Sequence, residues 1–276
     1  MQPLKSWIKR HFGYWLYSNQ RSVAAGERYR SWIDGAAQQP DFRVEEVSHD
    51  LFTYHGEDGI IAFLLGRMSN VPSLFTDIGA GDCMKSNCAS LAVHTDWTGC
   101  FVDANDRQLQ AGRNFYHMLN NREKNIRFTC SLVTPDNVNR IISDAGIKGE
   151  TGLLSIDIDG NDYWIWKAID VIRPRIVVIE AKVEFGTDNR VVPYGNHNHH
   201  GVDARYNGAS VEALRVLGKQ KGYKLVAANK QGYNLFFVQE QESLKELTTE
   251  DVLQDKETKQ SFYPASFFSK HHFEKA

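Results

Sequence analysis

The sequence predicts an α/β fold, in which a doubly wound, mostly parallel sheet ends in an antiparallel hairpin and is preceded by a helical extension. Short, almost continuously apolar segments alternate with helical patterns from about residue 56, as is typical of a parallel sheet with helices on both faces. The last two apolar segments, 224–228 and 234–238, are separated by only five residues. So short a connection joins antiparallel strands, because a parallel crossover needs a dozen residues or more.

Five apolar segments are predicted to be parallel strands before the hairpin. In chain order they are 74–78, 100–103, 126–130, 153–157 and 175–180. Helical patterns accompany them over residues 60–65, 87–92, 136–145 and 163–169. The first of these helices follows Glu57 and Asp58, whose negative charges suit the positive end of a helix.

Residues 1–50 differ from the rest and are predicted to form the helical extension. Apolar residues with basic neighbours recur there at helical spacing: Trp7, Ile8, Trp15 and Leu16. This helix is interpreted as a cap on the main domain or a contact in a homodimer, and the alternative is peripheral association with a membrane surface. Residues 51–240 are then expected to form the main domain, and residues 241–276 a tail that packs back onto it.

The composition excludes several classes of protein. With 276 residues, 42% of them hydrophobic, the chain can bury a sizeable core. Lys and Arg number 32 against 34 Asp and Glu, so there is no basic excess for sequence-independent nucleic-acid binding. There is no apolar run near the ~20 residues of a membrane span, no signal-peptide core and no C-x-x-C pair among the four cysteines. We therefore expect a cytoplasmic protein with free thiols.

The segment Asp77-Ile78-Gly79-Ala80-Gly81-Asp82 follows the first predicted strand. Glycines at the carboxyl end of a strand allow a ligand to approach the main chain closely, at the edge where open α/β sheets bind ligands. Asp103 ends the next strand, 26 residues after Asp77. A carboxylate in that place accepts hydrogen bonds from the hydroxyls of a ribose.

Of the two cofactors that such a turn binds, S-adenosylmethionine fits better than a dinucleotide. A dinucleotide fingerprint has a third glycine where this chain has Met84. S-adenosylmethionine has no phosphates for the nearby acids to repel, and the terminal hairpin suits a Rossmann-like class I methyltransferase. The residues expected to bind this cofactor are Asp77, Gly79, Ala80, Gly81, Asp82, Asn87, Asp103, Ser131, Leu132 and Asp157.

Three acids follow the fourth and fifth predicted strands. Asp157 and Asp159 belong to the fourth strand and the turn after it, and Glu180 ends the fifth. Because these strand ends border the same crevice, the three carboxylates are expected to converge as catalytic residues, one of them removing the proton of a sugar hydroxyl. Together they are also candidate ligands of one Mg²⁺-class ion. The alternative is that Asp157 or Asp159 caps the next helix.

Two further groups of residues lie near these acids in the sequence. The loop after the fifth strand has three histidines in the four residues 197–200; it is interpreted as a solvated polar loop, with a general base at His199 or a metal site as alternatives. Tyr163 and Trp166 share one side of a predicted helix, and Trp164 points elsewhere. At least one of these rings is expected in the core, and the alternative is a wall that stacks against a sugar or planar substrate.

Several stretches resemble FkbM-related S-adenosylmethionine-dependent methyltransferases, in particular a bacterial subgroup found among glycan and secondary-metabolite proteins. The matching stretches are 56–60, 77–82 with Asn87, 132–134, 137–139, 154–166, 174–180, 192–194, 208–210 and 222–223. The most specific is Ser-Ile-Asp-Ile-Asp-Gly-Asn-Asp-Tyr-Trp at 155–164. The resemblance implies methyl transfer to oxygen, usually of a sugar or polyketide hydroxyl, and it too assigns the turn at 77–81 and Asp103 to the cofactor.

The chain departs from this subgroup in three places. Cys83 stands where a glycine is usual, Ala181 and Lys182 follow Glu180 where Tyr-Asn is common, and the histidine loop is unusual. The last two departures concern the acceptor side of the site. They make it unsafe to transfer a substrate from relatives.

These features predict an S-adenosylmethionine-dependent O-methyltransferase that acts on a carbohydrate-like hydroxyl, in a glycan, a nucleotide-sugar or a glycosylated metabolite. One alternative is an N-methyltransferase of a small molecule, although the Asn/Asp-Pro-Pro-Tyr motif of amino-group methyltransferases on nucleic acids is absent. The other is a binding or scaffold protein that kept the fold and lost the chemistry. The intact glycine turn and Asp103 argue against that reading.

Overall fold

The computed structural model describes residues 23–37, 44–119, 122–195, 203–254 and 262–276, which contain one seven-stranded sheet. Its strands are β1 (Leu74–Ile78), β2 (Thr98–Asp103), β3 (Ile126–Cys130), β4 (Gly149–Ile156), β5 (Ile172–Glu180), β6 (Tyr223–Ala228) and β7 (Asn234–Gln239). Their order is β3-β2-β1-β4-β5-β7-β6. Strands β1 to β5 run parallel, and β7 is antiparallel to both β5 and β6. The predicted fold class is therefore confirmed.

The helices of the described residues cover both faces of this sheet. They are α1 (residues 23–36), α2 (Val44–Val47), α3 (Glu57–Arg67), α4 (Ala89–His94), α5 (Asp106–Met118), α6 (Val138–Asp144), α7 (Asp162–Ala168), α8 (Val211–Gln220), α9 (Thr249–Val252) and α10 (Ala265–Phe268). Short 3-10 helices lie at Arg122–Asn125 and Val183–Phe185. None of these helices is long and apolar enough to cross a membrane.

The core has two layers, one on each face of the sheet. Because side chains alternate along a strand, Val177 and Ile179 of β5 join the layer under α6, α7 and α8. Ile176 and Val178 join the layer under α1, α3, α4 and α5. Both faces are apolar, which explains the continuous apolar runs of the central strands.

The three aromatic residues after the acidic segment are divided as their helical spacing predicts. Tyr163 and Trp166 are fully buried in the layer under α6 to α8. Trp164 is half-buried, and its indole N–H donates a 2.9 Å hydrogen bond to the carbonyl of Val192. Tyr163 and Trp166 are thus core residues and offer no stacking surface.

Several predicted boundaries differ from the structure. β4 begins at Gly149 and β5 at Ile172, earlier than expected, because main-chain pairing continues through Glu150 and Arg173 although their side chains are polar. The first helix after the glycine turn begins only at Ala89, since residues 80–88 form successive turns. The four cysteines are free, but Cys130 is exposed whereas the others are buried.

The two ends of the described chain pack against the sheet and its loops. Tyr29 of α1 is fully buried, and the guanidinium of Arg30 donates to the main-chain oxygen of His94. In the tail, Phe267 packs with Phe185, and Glu274 pairs with the main chain of Val191. The predicted helix around Trp7 and Trp15 lies outside the described residues, and the boundaries at residues 50 and 240 stay predictions.

Candidate active site

The turn after β1 and the acidic segment after β4 meet at the carboxyl edge, where the strand order reverses between β1 and β4. The N–H of Asp157 donates to the carbonyl of Ile78 at 2.9 Å. Gly79 has a φ of +86°, and a Cβ on it would lie 1.7 Å from the carbonyl oxygen of Asp157. Position 79 therefore requires glycine, and the two segments are in direct contact.

Asp103 is joined to the glycine turn by its side chain. The N–H of Gly81 donates to Oδ2 of Asp103 at 2.8 Å, and the N–H of Asn105 donates to Oδ1 at 2.7 Å. Each oxygen keeps a lone pair for a further donor. Gly81 has open space beside it, since a Cβ there would meet only Oε1 of Gln108, at 3.7 Å. The arrangement fits the ribose of S-adenosylmethionine.

Two predicted cofactor residues lie underneath the turn and hold it in place. Asp77 is buried and accepts a hydrogen bond from the hydroxyl of Ser86. Burial raises the pKa of Asp77 to about 6. The amide of Asn87, also buried, donates to Oγ of Ser155 at 3.1 Å. Both side chains position the turn, and Ser86 and Ser155 are their partners that sequence reasoning missed.

The remaining predicted cofactor residues shape the rim of this turn. Ala80 is buried, and Oδ1 of Asp82 accepts the N–H groups of Met84 and Lys85. The N–H of Ser131 donates to the carbonyl of Asp103 at 2.9 Å. The side chain of Leu132 is 70% exposed, and an apolar surface beside Asp103 fits the adenine ring of the cofactor.

Cys83 has a left-handed main chain, with a φ of +58°. This conformation costs most residues about 1 kcal/mol and glycine almost nothing, which explains why a glycine suits this place. The Cys83 side chain is fully buried. The main-chain carbonyl of Cys83 accepts a 2.8 Å hydrogen bond from the hydroxyl of Tyr116. Burial, followed by the charge of Asp77, raises the pKa of the thiol, so Cys83 is an unreactive packing residue.

The structure brings Asp157, Asp159 and Glu180 together. One oxygen from each lies within 4.8 Å of the others. Asp159 has a φ of +57°, which is uncommon for a residue other than glycine. The convergence that the strand ends predict is present, and the turn after β4 adopts an unfavourable conformation as it presents these carboxylates.

Asp162 shapes the acidic turn, a role that sequence reasoning missed. It is buried, and its oxygens accept the N–H groups of Ile158 at 2.8 Å and Gly160 at 2.9 Å. The N-cap residue of α7 is Asn161, so neither Asp157 nor Asp159 caps this helix. Asp157 and Asp159 are exposed at the edge.

The pKa values of the acidic cluster are raised, so its carboxyl groups are not all ionised near neutral pH. The Asp157 side chain is open at the edge, yet protein atoms surround most of its carboxyl group, and this desolvation, with repulsion from Asp162 and Asp159, raises its pKa to about 7. Burial and the charges of Asp162 and Asp157 also raise the pKa of Glu180, against the opposing effect of Lys182. Near neutral pH the cluster therefore holds protons that ordinary carboxylates release.

The three converging oxygens also match the donor set of a hard divalent cation. Mg²⁺ binds oxygen at about 2.1 Å, so two of its ligands are at most about 4.2 Å apart, whereas Ca²⁺ tolerates separations of about 5 Å. The three oxygens lie within 4.8 Å of one another, which is the scale of ligand separations around such ions. Asp157, Asp159 and Glu180 would hold such an ion.

His199, the remaining candidate base, lies outside the described residues, as does the rest of the histidine loop. The described chain before this loop ends beside Tyr194, whose side chain is exposed. Glu57 is a further buried acid. The sequence assigned it only to the start of a helix, but its side chain accepts hydrogen bonds from Asn229 and Asn234 of the β6–β7 hairpin.

Comparison with solved structures returns methyltransferases of low sequence identity. An O-methyltransferase from Bacillus cereus in complex with S-adenosylhomocysteine is 15% identical, covers 77% of this chain and 97% of its own, and gives a TM-score of 0.43. Magnesium protoporphyrin IX methyltransferase from Synechocystis, with bound S-adenosylhomocysteine, is 10% identical, covers 79% and 99%, and gives 0.44. An O-methyltransferase family protein from Burkholderia thailandensis is 14% identical, covers 82% and 63%, and gives 0.44.

No family model matches the chain, and no curated protein matches its sequence. The fold assignment rests on the strand order itself, with β7 inserted antiparallel between β5 and β6. The chain has a Rossmann-like fold with the sheet of class I methyltransferases.

Proposed function

We propose that this chain is an S-adenosylmethionine-dependent O-methyltransferase whose acceptor is a hydroxyl of a carbohydrate-like molecule. The observation that carries the proposal is the contact between the glycine turn and the acidic segment, in which the main chain of Asp157 is hydrogen-bonded to Ile78. A cofactor held at Gly81 and Asp103 would lie at the same edge of the sheet as the carboxylates. Methyl transfer to a hydroxyl requires a proton acceptor next to the cofactor site.

S-adenosylmethionine, when bound, supplies an electrophilic methyl group on a sulfonium ion. Asp103 accepts hydrogen bonds from the ribose hydroxyls, and its own link to Gly81 holds it ready to do so. Asp157 would take the proton that the acceptor hydroxyl loses when it is methylated. Its pKa of about 7 suits a general base, which works best with a pKa near the operating pH.

The other carboxyl groups orient the acceptor. Because its pKa is raised, Glu180 keeps its proton near neutral pH and donates a hydrogen bond, whereas an ionised carboxylate only accepts. Sugar hydroxyls both donate and accept, so a partly protonated cluster matches them. Holding the acceptor oxygen in line with the methyl group supplies much of the rate.

The resemblance to FkbM-related methyltransferases supports oxygen as the methylated atom. Its most specific stretch, residues 155–164, includes Asp157, Asp159 and the shaping residue Asp162. An N-methyltransferase would use the same cofactor turn, and it is distinguished by the acceptors that it methylates. A scaffold protein would be distinguished by failure to bind the cofactor.

A metal-dependent variant of the same reaction is favoured by one observation, the convergence of three carboxylate oxygens. In that variant Asp157, Asp159 and Glu180 hold a divalent cation, and none of them is the base. His199 would then be the candidate base. The two variants are separated by whether a cation changes binding and turnover.

The experiment is calorimetric titration of the full chain with S-adenosylhomocysteine, alone, with Mg²⁺ and with Ca²⁺. Micromolar binding supports the cofactor site, and a cation-dependent increase moves the three carboxylates into the metal role. Absence of binding under all three conditions overturns the proposal. Transfer of a labelled methyl group to sugars and nucleotide-sugars, compared with amines of similar size, then decides between oxygen and nitrogen.

We also propose a cytoplasmic location, and a homodimer or a peripheral membrane contact through the N-terminal helix that the sequence predicts within residues 1–50. The basic and apolar pattern around Trp7 and Trp15 supports a contact of one of these kinds. Light scattering tests the dimer, and co-sedimentation with anionic vesicles tests the membrane contact. Each measurement compares the full chain with the Trp7→Ser/Trp15→Ser variant.

A further inference from the structure

One buried acid, Glu57, joins two loops that are distant in the sequence. The first loop, residues 50–56, precedes α3, and the second, residues 229–233, connects β6 to β7. Oε1 of Glu57 accepts hydrogen bonds from the amides of Asn229 at 2.8 Å and Asn234 at 3.1 Å. Its Oε2 accepts the N–H of His55 at 3.0 Å. Glu57 is only 2% exposed, so this junction is shielded from water.

The first loop is held rigidly by further hydrogen bonds. Oδ2 of Asp58 accepts the N–H groups of three successive residues, Leu51, Phe52 and Thr53, at 2.8–2.9 Å. Oδ1 of Asp50 accepts the N–H of Gly56 at 2.6 Å. The loop therefore presents Tyr54 and His55 in a fixed place, with little conformational entropy left to lose on binding.

The second loop is attached directly to the acidic side of the site. The N–H of Ala181, the residue after Glu180, donates to the carbonyl of Tyr233 at 2.7 Å. Asn234 is the register partner of Glu180 across β5 and β7. The main chain of Tyr233 therefore lies beside that of Ala181, one residue from Glu180.

The two loops expose aromatic rings that touch one another. Tyr54 is 62% exposed and Tyr233 is 38% exposed. The rings of His55 and Tyr233 meet edge to face, with their centroids 6.4 Å apart. On the other side, the ammonium of Lys85, from the turn after Gly81, lies 5.2 Å from the centre of the Tyr54 ring. The rings form an aromatic wall, Tyr54–His55–Tyr233, that runs from Lys85 of the glycine turn to the β6–β7 hairpin, whose main chain pairs with Ala181 next to Glu180.

We infer that the aromatic wall is the acceptor subsite and that it stacks against the C–H face of a pyranose ring whose hydroxyls face Glu180 and Asp157. Exposed rings on immobilised loops beside a catalytic cluster are poorly explained by folding, because they leave apolar surface in water. A pyranose has one apolar face for the rings and a polar rim for the carboxyl groups. The inference rests on the proposed function, whose acceptor class it makes specific.

The test uses the full chain, with and without S-adenosylhomocysteine, and an equimolar mixture of the methyl glycosides of glucose, mannose, galactose and N-acetylglucosamine. Saturation-transfer difference NMR reports which ring protons contact the protein. We expect transfer to the C–H protons of at least one glycoside. Tyr233→Phe should keep the signal, and Tyr233→Ser should weaken binding about tenfold, as loss of one aromatic contact predicts.

Met118→Ser is the matched control, because Met118 of α5 is 39% exposed, like Tyr233, and lies on a helix outside the wall. Its signal should equal that of the unchanged chain. The inference is overturned if no glycoside receives saturation in either condition, or if Tyr233→Ser binds as tightly as the control. The same samples report S-adenosylhomocysteine binding, so failure of the cofactor site and failure of the wall are observed separately.

Discussion

The main-chain N–H of Gly81 donates a 2.8 Å hydrogen bond to Oδ2 of Asp103, so the turn after β1 and the acid at the end of β2 form one unit. The two strands that lead to these residues, β1 and β2, are neighbours and run parallel. Asp103 accepts a second main-chain N–H through its other oxygen. Its carboxylate is consequently oriented before any ligand arrives, which reduces the cost of ordering it on binding.

Replacing Asp103 by Ala should weaken the binding of S-adenosylhomocysteine about tenfold to a hundredfold. Hydrogen bonds to a charged group contribute about 1.5–3 kcal/mol each, and the variant also frees the N–H of Gly81. Calorimetric titration measures the change. Asp106→Ala is the control, because Asp106 is exposed in the first turn of α5. An unaltered dissociation constant in Asp103→Ala would remove Asp103 from the cofactor site.

Replacing Asp157 by Asn should lower turnover by about a hundredfold or more, the usual contribution of a general base. Cofactor binding should change little, because the amide has the same shape and the main-chain bond to Ile78 remains. In the unchanged protein, kcat should rise with pH through about 7 as Asp157 loses its proton. Asp170→Asn, at an exposed acid after α7, is the control. Undiminished turnover in Asp157→Asn would exclude Asp157 as the base.

Replacing Gly79 by Ala should destabilise the protein by more than about 3 kcal/mol, since the new Cβ would lie 1.7 Å from a main-chain oxygen. Gly146→Ala is matched to it, because Gly146 has a similar φ of +82° and nothing within 4 Å of a Cβ. That variant should lose only about 1 kcal/mol, the cost of the left-handed conformation. Urea unfolding measures both. Equal losses would show that the contact between the two segments is not close.

Replacing His94 by Phe should make the free energy of unfolding less dependent on pH between pH 7.5 and pH 4. Burial, with repulsion from Arg30 and Arg122, lowers the pKa of His94 to about 4, so the folded protein resists protonation more than the unfolded chain does. The stabilising effect of a neutral His94 is complete above its unfolded pKa of about 6.5. It is lost as the pH falls toward 4, by about 3 kcal/mol in total.

The measurement for His94 is the free energy of unfolding from pH 7.5 to pH 4 in both proteins. Because other groups titrate over the same range, the difference between the two curves is the quantity of interest. Phe is suitable because His94 packs near the rings of Tyr29 and Phe52. Parallel curves would show that His94 is not buried as a neutral residue under α1.

The pattern of residues was sufficient to predict the sheet, the position of the glycine turn and the convergence of the three carboxylates. Continuous apolar runs identify strands that are buried on both faces, and the five-residue connection before β7 forces an antiparallel end. Asp157 and Glu180 could be placed together because parallel strands end at one edge. These inferences depend only on side-chain chemistry and on short-range geometry.

The roles of single residues within the site were decided by the tertiary structure. Asp77, which is expected to bind the cofactor, is buried under the turn and accepts a hydrogen bond from Ser86. Asp162, rather than Asp157 or Asp159, satisfies the N–H groups of the acidic turn. Neighbouring acids are indistinguishable in a sequence, because which of them faces inward depends on the φ and ψ angles of one or two residues between them.

The sequence by itself determined the fold class and the edge of the sheet at which the glycine turn and the three carboxylates meet. Only the tertiary structure showed that Glu57 joins the loop before α3 to the β6–β7 hairpin, through a contact with Asn229 that spans 172 residues. That contact depends on β7 lying beside β5 and on α3 packing across the sheet. Local patterns carry no information about such a contact, because it arises when distant segments are brought together by the packing of the whole core.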